Sequence, residues 1–68
     1  MRTATVYVVA CDEDDAEIGV KNRNVEQHDN AWQARLELPK RAAKHPDLAQ
    51  FLDVFAVEMT MAGRAVPS

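Results

Sequence analysis

A mostly apolar stretch near the N-terminus gives the clearest strand signal in the chain. Residues 3–11 are dense in β-branched and aromatic side chains and contain neither Pro nor Gly. Because side chains alternate across a strand, Val6, Val8 and Ala10 are expected on one face, with Tyr7 and Val9 on the other. Both faces are largely apolar, which predicts a strand that is covered on both sides.

Weaker alternation predicts a second strand over residues 16–22, where Ile18 and Val20 flank Gly19. Residues 31–38 favour a third strand, because apolar and polar side chains alternate there and Pro39 follows. The apolar set is Trp32, Ala34, Leu36 and Leu38. A helix remains the alternative for residues 24–38: Asn24 and Gln27 could form a capping box, and helical spacing relates Val25, His28, Trp32 and Leu36.

The last predicted element is a helix over residues 47–63, which Asp47 can cap and Gly63 can end. One apolar stripe at helical spacing supports it, formed by Leu48, Phe51, Leu52, Phe55, Met59 and Ala62. A second apolar group lies nearly opposite this stripe and consists of Val54, Val57 and Met61. Since one sheet can cover only one side of a helix, we predict that this second group forms a protein interface.

Together these elements predict an α+β fold, in which a small antiparallel three-stranded sheet packs against one C-terminal helix in the order β-β-β-α. The predicted core sets Phe51, Leu52, Phe55 and Met59 of the helix against Val6, Val8, Ile18, Trp32 and Leu36 of the sheet. With 68 residues, the chain 1–68 is expected to form a single small domain. Trp32 is expected to be a core or interface anchor.

The small size of the chain and its few cysteines and histidines restrict the ways in which it can be stabilised. A core this small rarely supplies more than about 3–5 kcal/mol. Cys11 is the only cysteine, so it has no intramolecular partner for a disulfide, and two histidines without a second cysteine give no familiar zinc spacing. A partner protein or a second copy is therefore the expected source of extra stability. The sequence shows no secretory signal or membrane span, which together with the lone thiol predicts a cytoplasmic protein.

Two charged segments invite functional interpretations. The acidic patch of Asp12, Glu13, Asp14, Asp15 and Glu17 fails the calcium-loop pattern and is expected to be a solvated turn. The basic patch of Arg35, Lys40, Arg41 and Lys44 could contact phosphates. The net charge of −3 argues against nucleic-acid binding, however, and favours a solvated face.

No residue grouping in the sequence predicts catalysis, a cofactor or a small-molecule substrate, so we expect that the protein is not an enzyme. The favoured hypothesis is a small acidic, homodimeric protein-binding module that occupies a partner protein's surface; Val57→Asp should then disrupt binding and leave the sheet folded. One alternative is a phage or mobile-element inhibitor of a host nucleic-acid defence system, of the anti-restriction or anti-CRISPR type, acting by nucleic-acid mimicry. Another is weak RNA or DNA binding through residues 35–45.

Overall fold

The computed structural model describes residues 3–60, which follow the order β-α-α-β. The elements are β1 (Thr3–Ala10), α1 (Glu13–Asn22), α2 (Ala31–Lys44), a short 3-10 turn (Ala49–Phe51) and β2 (Asp53–Thr60). β1 and β2 form a two-stranded antiparallel sheet. The α+β class is therefore confirmed, whereas the predicted three-stranded sheet with one C-terminal helix is wrong.

The sheet supplies most of the core, and β1 lies where the sequence predicts it. Val6 lies opposite Val57, and Val8 lies opposite Phe55. Val8 is fully buried on the face that α1 covers, where it packs with Ala16 and Val20. Val9 points to the other face and is 1% exposed. Burying each such valine contributes about 1.5–3 kcal/mol before the cost in conformational entropy.

The two helices cover the sheet from opposite sides. α1 shares a core cluster with Val8, Ala10 and Val57. α2 also packs on both strands but makes no extensive contact with α1. Near the end of α2, Arg41 and His45 line the same small cavity as Val9. This arrangement explains why β1 is apolar on both faces.

The acidic run is the start of α1 and not a turn before a strand, so the predicted strand over residues 16–22 is wrong. The Asp12 side chain caps the helix by accepting a hydrogen bond of 2.7 Å from the Asp15 amide. Acidic side chains fill the first turn, where the helix dipole favours negative charge. Ala16 and Val20, four residues apart, then face the core.

α1 ends in a Schellman motif. The Arg23 amide donates to the Val20 carbonyl at 3.2 Å, and the Asn24 amide donates to the Gly19 carbonyl at 3.0 Å. Arg23 adopts a left-handed conformation with φ of 57°, a position that usually favours glycine. The turn folds Val25 back onto Gly19, so that the chain can run along the outer edge of β1.

The predicted third strand over residues 31–38 is also wrong, because this segment belongs to α2. Asn30 caps the helix by accepting a hydrogen bond of 3.1 Å from the Gln33 amide. The inward positions recur every three to four residues and include the fully buried Ala34. Trp32 and Leu36 lie outside this stripe and are each 59% exposed, so they do not belong to the core. Pro39 lies inside the helix and does not end it.

Residues 47–63 do not form the predicted helix: a 3-10 turn at Ala49–Phe51 leads into β2. The two apolar sides inferred for a helix are instead the two faces of a strand. Phe55, Val57 and Met59 face α1, while Val54 alternates with them on the opposite face. Phe51 and Ile18 were both predicted to lie in the core, but they are 56% and 54% exposed, respectively. Met61 and the predicted helix end at Gly63 lie outside the described residues.

Candidate functional site

The outer edge of β2 has no partner strand within residues 3–60. β1 lies between β2 and the segment that follows α1, where Tyr7 and His28 exchange two backbone hydrogen bonds of 2.9 Å. His28 therefore covers the middle of the outer β1 edge. β2 pairs with β1 alone among the described residues.

The Tyr7–His28 bridge determines which β2 backbone groups face outward. Because both polar backbone groups of Tyr7 point toward His28, Tyr7 and its β2 partner Ala56 form a pair without hydrogen bonds between them. The N–H and C=O of Ala56 must then point away from β1. Since this direction alternates along a strand, the backbone of Val54 and Glu58 also points outward, whereas that of Phe55 and Val57 bonds to β1.

One contact supports this assignment independently. The Val54 amide donates a 2.7 Å hydrogen bond to Oδ1 of its neighbour Asp53 instead of to β1. The Asp53 side chain thus occupies the first outward donor. Ala56 and Glu58 hold the next outward donors along the strand.

The composition of β2 gives little protection to this edge. Natural edge strands are commonly protected by lysine, proline or bulges. Residues 53–60 contain no lysine, proline or glycine, and their only charges are those of Asp53 and Glu58. The edge is therefore chemically suited to pair with another extended chain.

A groove lies beside β2 on the α1 side, with a volume of about 450 Å³. Apolar side chains at its wall come from Val20 of α1 and from Val57 and Met59 of β2. Charged residues of both signs also line it, namely Glu17, Lys21, Arg23 and Glu58. A strand added at the edge would place its own side chains over this groove.

A second cluster joins the segment after α1 to α2. His28 Nε2 lies 2.7 Å from Oε1 of Glu37 and 3.2 Å from Oε2 of Glu26. The other oxygen of Glu37 accepts a hydrogen bond of 3.2 Å from Nε of Arg41, and Nη2 of Arg41 lies equally close. The side chains of His28 and Glu37 are only 12% and 14% exposed.

This cluster contains three potential metal ligands, because Glu26, His28 and Glu37 offer ligand atoms that lie within 4.8 Å of one another. Such ligand types bind zinc. However, Arg41 already supplies positive charge to Glu37, and the second oxygen of Glu37 bonds to it. We therefore interpret the cluster as a structural network that fastens His28, and with it the outer edge of β1, to α2.

The two predicted charged patches lie on different helices. Lys40, Arg41 and Lys44 line one cleft of about 260 Å³, but Arg35 is not among its lining residues. Glu26 and Glu37 also line this cleft and oppose the positive charge. The acidic residues lie at the N-cap and in the first turns of α1, and not in the solvated turn that the sequence predicted.

The predicted interface residues also occupy different environments. Val57 is 7% exposed and belongs to the chain's own core. Val54 is half-buried, and Met61 lies outside the described residues. Binding of a partner at these positions stays a prediction, but its helical premise is wrong. The sequence did not single out Ala56 and Glu58 as functional residues. The alternation of side chains over residues 53–60 is typical of a strand and was the pattern that could have indicated them.

Comparison with protein-family models, with curated proteins and with solved structures found no match to this chain. In the described part of the chain, none of the helices combines the length and apolar character that crossing a membrane requires.

Proposed function

We propose that this chain is a protein-binding module that accepts an extended polypeptide segment as an additional strand on β2. The observation that carries the proposal is the β2 edge, which has no partner strand among residues 3–60 and where Ala56 and Glu58 direct backbone donors and acceptors outward. Backbone hydrogen bonds supply affinity in this mode of recognition, and flanking pockets supply specificity. The groove lined by Val20, Val57 and Met59 lies where such a pocket is needed.

The basic patch offers weaker support for nucleic-acid binding. Arg41 is engaged by Glu37, and the cleft lined by Lys40 and Lys44 also contains two carboxylates. Phosphate groups would meet these negative charges as well as the cations, and the whole chain carries a net charge of −3. We therefore place the binding function at the strand edge and not at this cleft.

A titration with a defined strand tests the proposal. The probe is a synthetic peptide with the sequence of residues 53–60, added to the isotope-labelled full chain and followed by amide NMR shifts. We expect saturable shifts centred on Ala56 and Glu58, and little effect from a scrambled peptide of the same composition. No response of these two amides to millimolar peptide would contradict the proposal.

Two variants of the full chain sharpen this titration. Ala56→Pro removes one outward donor and should weaken peptide binding about 5-fold or more, because proline has no N–H. Ala56→Ser changes the same exposed side chain but retains the amide, so binding should persist. Equal binding by both variants would show that the peptide does not add to the β2 edge.

A further inference from the structure

We propose that the strand accepted at this edge is β2 of a second copy, so that two chains form a continuous four-stranded antiparallel sheet. This inference rests on the proposed function and names its partner. A two-fold axis perpendicular to the sheet brings β2 against itself in the antiparallel direction. It also keeps α1 of both copies on one face and α2 of both copies on the other.

The outward donors select the register of this pairing. With Val54 bonded to Asp53, the amides of Ala56 and Glu58 are the ones to be used. They are matched when Ala56 of each copy lies opposite Glu58 of the other, because such a pair exchanges two hydrogen bonds. Val57 then lies opposite Val57 of the second copy, at the two-fold axis.

The side chains that this register brings together across the two copies are chemically compatible. On the α1 face, Val57 meets its counterpart and Phe55 meets Met59, so apolar side chains pair across the new junction. On the opposite face, Glu58 meets Ala56 and not another acid. The two Glu58 residues are diagonal neighbours whose backbone positions are about 7–8 Å apart, so neither carboxylate lies directly opposite the other.

The groove beside β2 is also suited to a second copy. It carries Glu17 of α1 together with Lys21 and Arg23, so one surface offers both signs of charge. Two copies related by a two-fold axis can therefore set acids of one chain near bases of the other. A closed pair of this kind would also satisfy an edge that otherwise risks open-ended association.

Sedimentation equilibrium on the full chain, from about 10 μM to 1 mM, tests the inference. We expect the mass to rise with concentration from 7.6 kDa to twice that value. Ala56→Pro removes one donor from each copy and should raise the dissociation constant about 30-fold or more. Ala56→Ser should dimerise like the native chain, and Glu58→Gln should dimerise slightly more tightly.

Cross-linking tests the register. In a Cys11→Ser background, Val57→Cys should form a disulfide between copies on oxidation, because directly opposed Cβ atoms in such a pair lie within bonding reach. Thr5→Cys on β1 is the control and should not cross-link under the same conditions. Efficient cross-linking at position 5 with none at position 57 would overturn the proposed register.

Failure of this inference can be told apart from failure of strand addition. A 7.6 kDa species at every concentration overturns the second copy as partner, while peptide-induced shifts at Ala56 and Glu58 would still support strand addition. A dimer that Ala56→Pro leaves intact overturns pairing through β2. Circular dichroism confirms that each variant is folded, and Ala56→Pro should fold because its amide makes no bond to β1.

Discussion

Replacing Gly19 by alanine should destabilise the protein, contrary to the usual effect of this change in a helix. Helix propensity alone favours alanine over glycine by about 1 kcal/mol. In this structure, however, an added Cβ would lie 2.6 Å from Cγ1 and 3.0 Å from Cγ2 of Val25. Carbon atoms in good contact lie about 3.5–4.0 Å apart, so Val25 would have to move.

Val25 has little freedom to move. It packs against the core cluster, its χ1 is restricted by β-branching, and it follows directly on the Schellman turn at Arg23 and Asn24. Overpacking of this kind costs about 1–3 kcal/mol. Set against the gain in propensity, Gly19→Ala should lower the free energy of unfolding by up to about 2 kcal/mol, taking these ranges together.

Urea denaturation of four proteins measures this effect: the native chain, Gly19→Ala, Val25→Ala and the double variant. If the contact with Val25 is the cause, Gly19→Ala should stabilise the Val25→Ala background by about 1 kcal/mol. The sign of the substitution therefore depends on residue 25. Stabilisation by Gly19→Ala in the native background would refute this reasoning.

Three further predictions concern the core and the His28 network. Glu37→Gln should lower the free energy of unfolding by about 1–3 kcal/mol in chemical denaturation, because it weakens the bonds to His28 and Arg41. Glu26→Gln should lower it by less than about 1 kcal/mol, because the Glu26 side chain is 67% exposed. Equal losses of stability in the two variants would contradict this account. Val57→Asp should unfold the protein, seen as loss of the native circular-dichroism spectrum, because it buries a charge in the core. A variant that stays folded and only loses binding would instead support the expectation from the sequence that Val57 lies at an interface. Zinc should leave the melting temperature unchanged, and a saturable increase that His28→Ala removes would instead indicate a metal site.

β1 could be predicted because its residues carry strand propensity and pattern together. The same reasoning failed over residues 31–38, where small Ala34 and the polar Glu37 both face inward in a helix. Alternation of Trp32, Leu36 and their neighbours imitated a strand, because the large apolar side chains of this helix point to solvent. Which apolar residues are buried depends on long-range packing, and the local pattern does not report it.

The helix prediction for residues 47–63 failed for a different reason. Phe51, Phe55 and Met59 satisfy helical spacing, while Val54 and Val57 mark the second face of a strand. The pairing of Val57 with Val6, across most of the sequence, decides between these two patterns. Likewise, no local signal brings His28 to Glu37, since their contact depends on how α2 packs against β1.

Amide hydrogen exchange along β2 tests the open edge most directly. At low concentration, the amides of Phe55, Val57 and Met59 should be protected by β1, while those of Ala56 and Glu58 exchange quickly. At high concentration, Ala56 and Glu58 should also become protected in the native chain, and Glu58 should remain unprotected in Ala56→Pro. Protection of Ala56 and Glu58 that does not depend on concentration, or fast exchange at every concentration and with added peptide, would contradict the account.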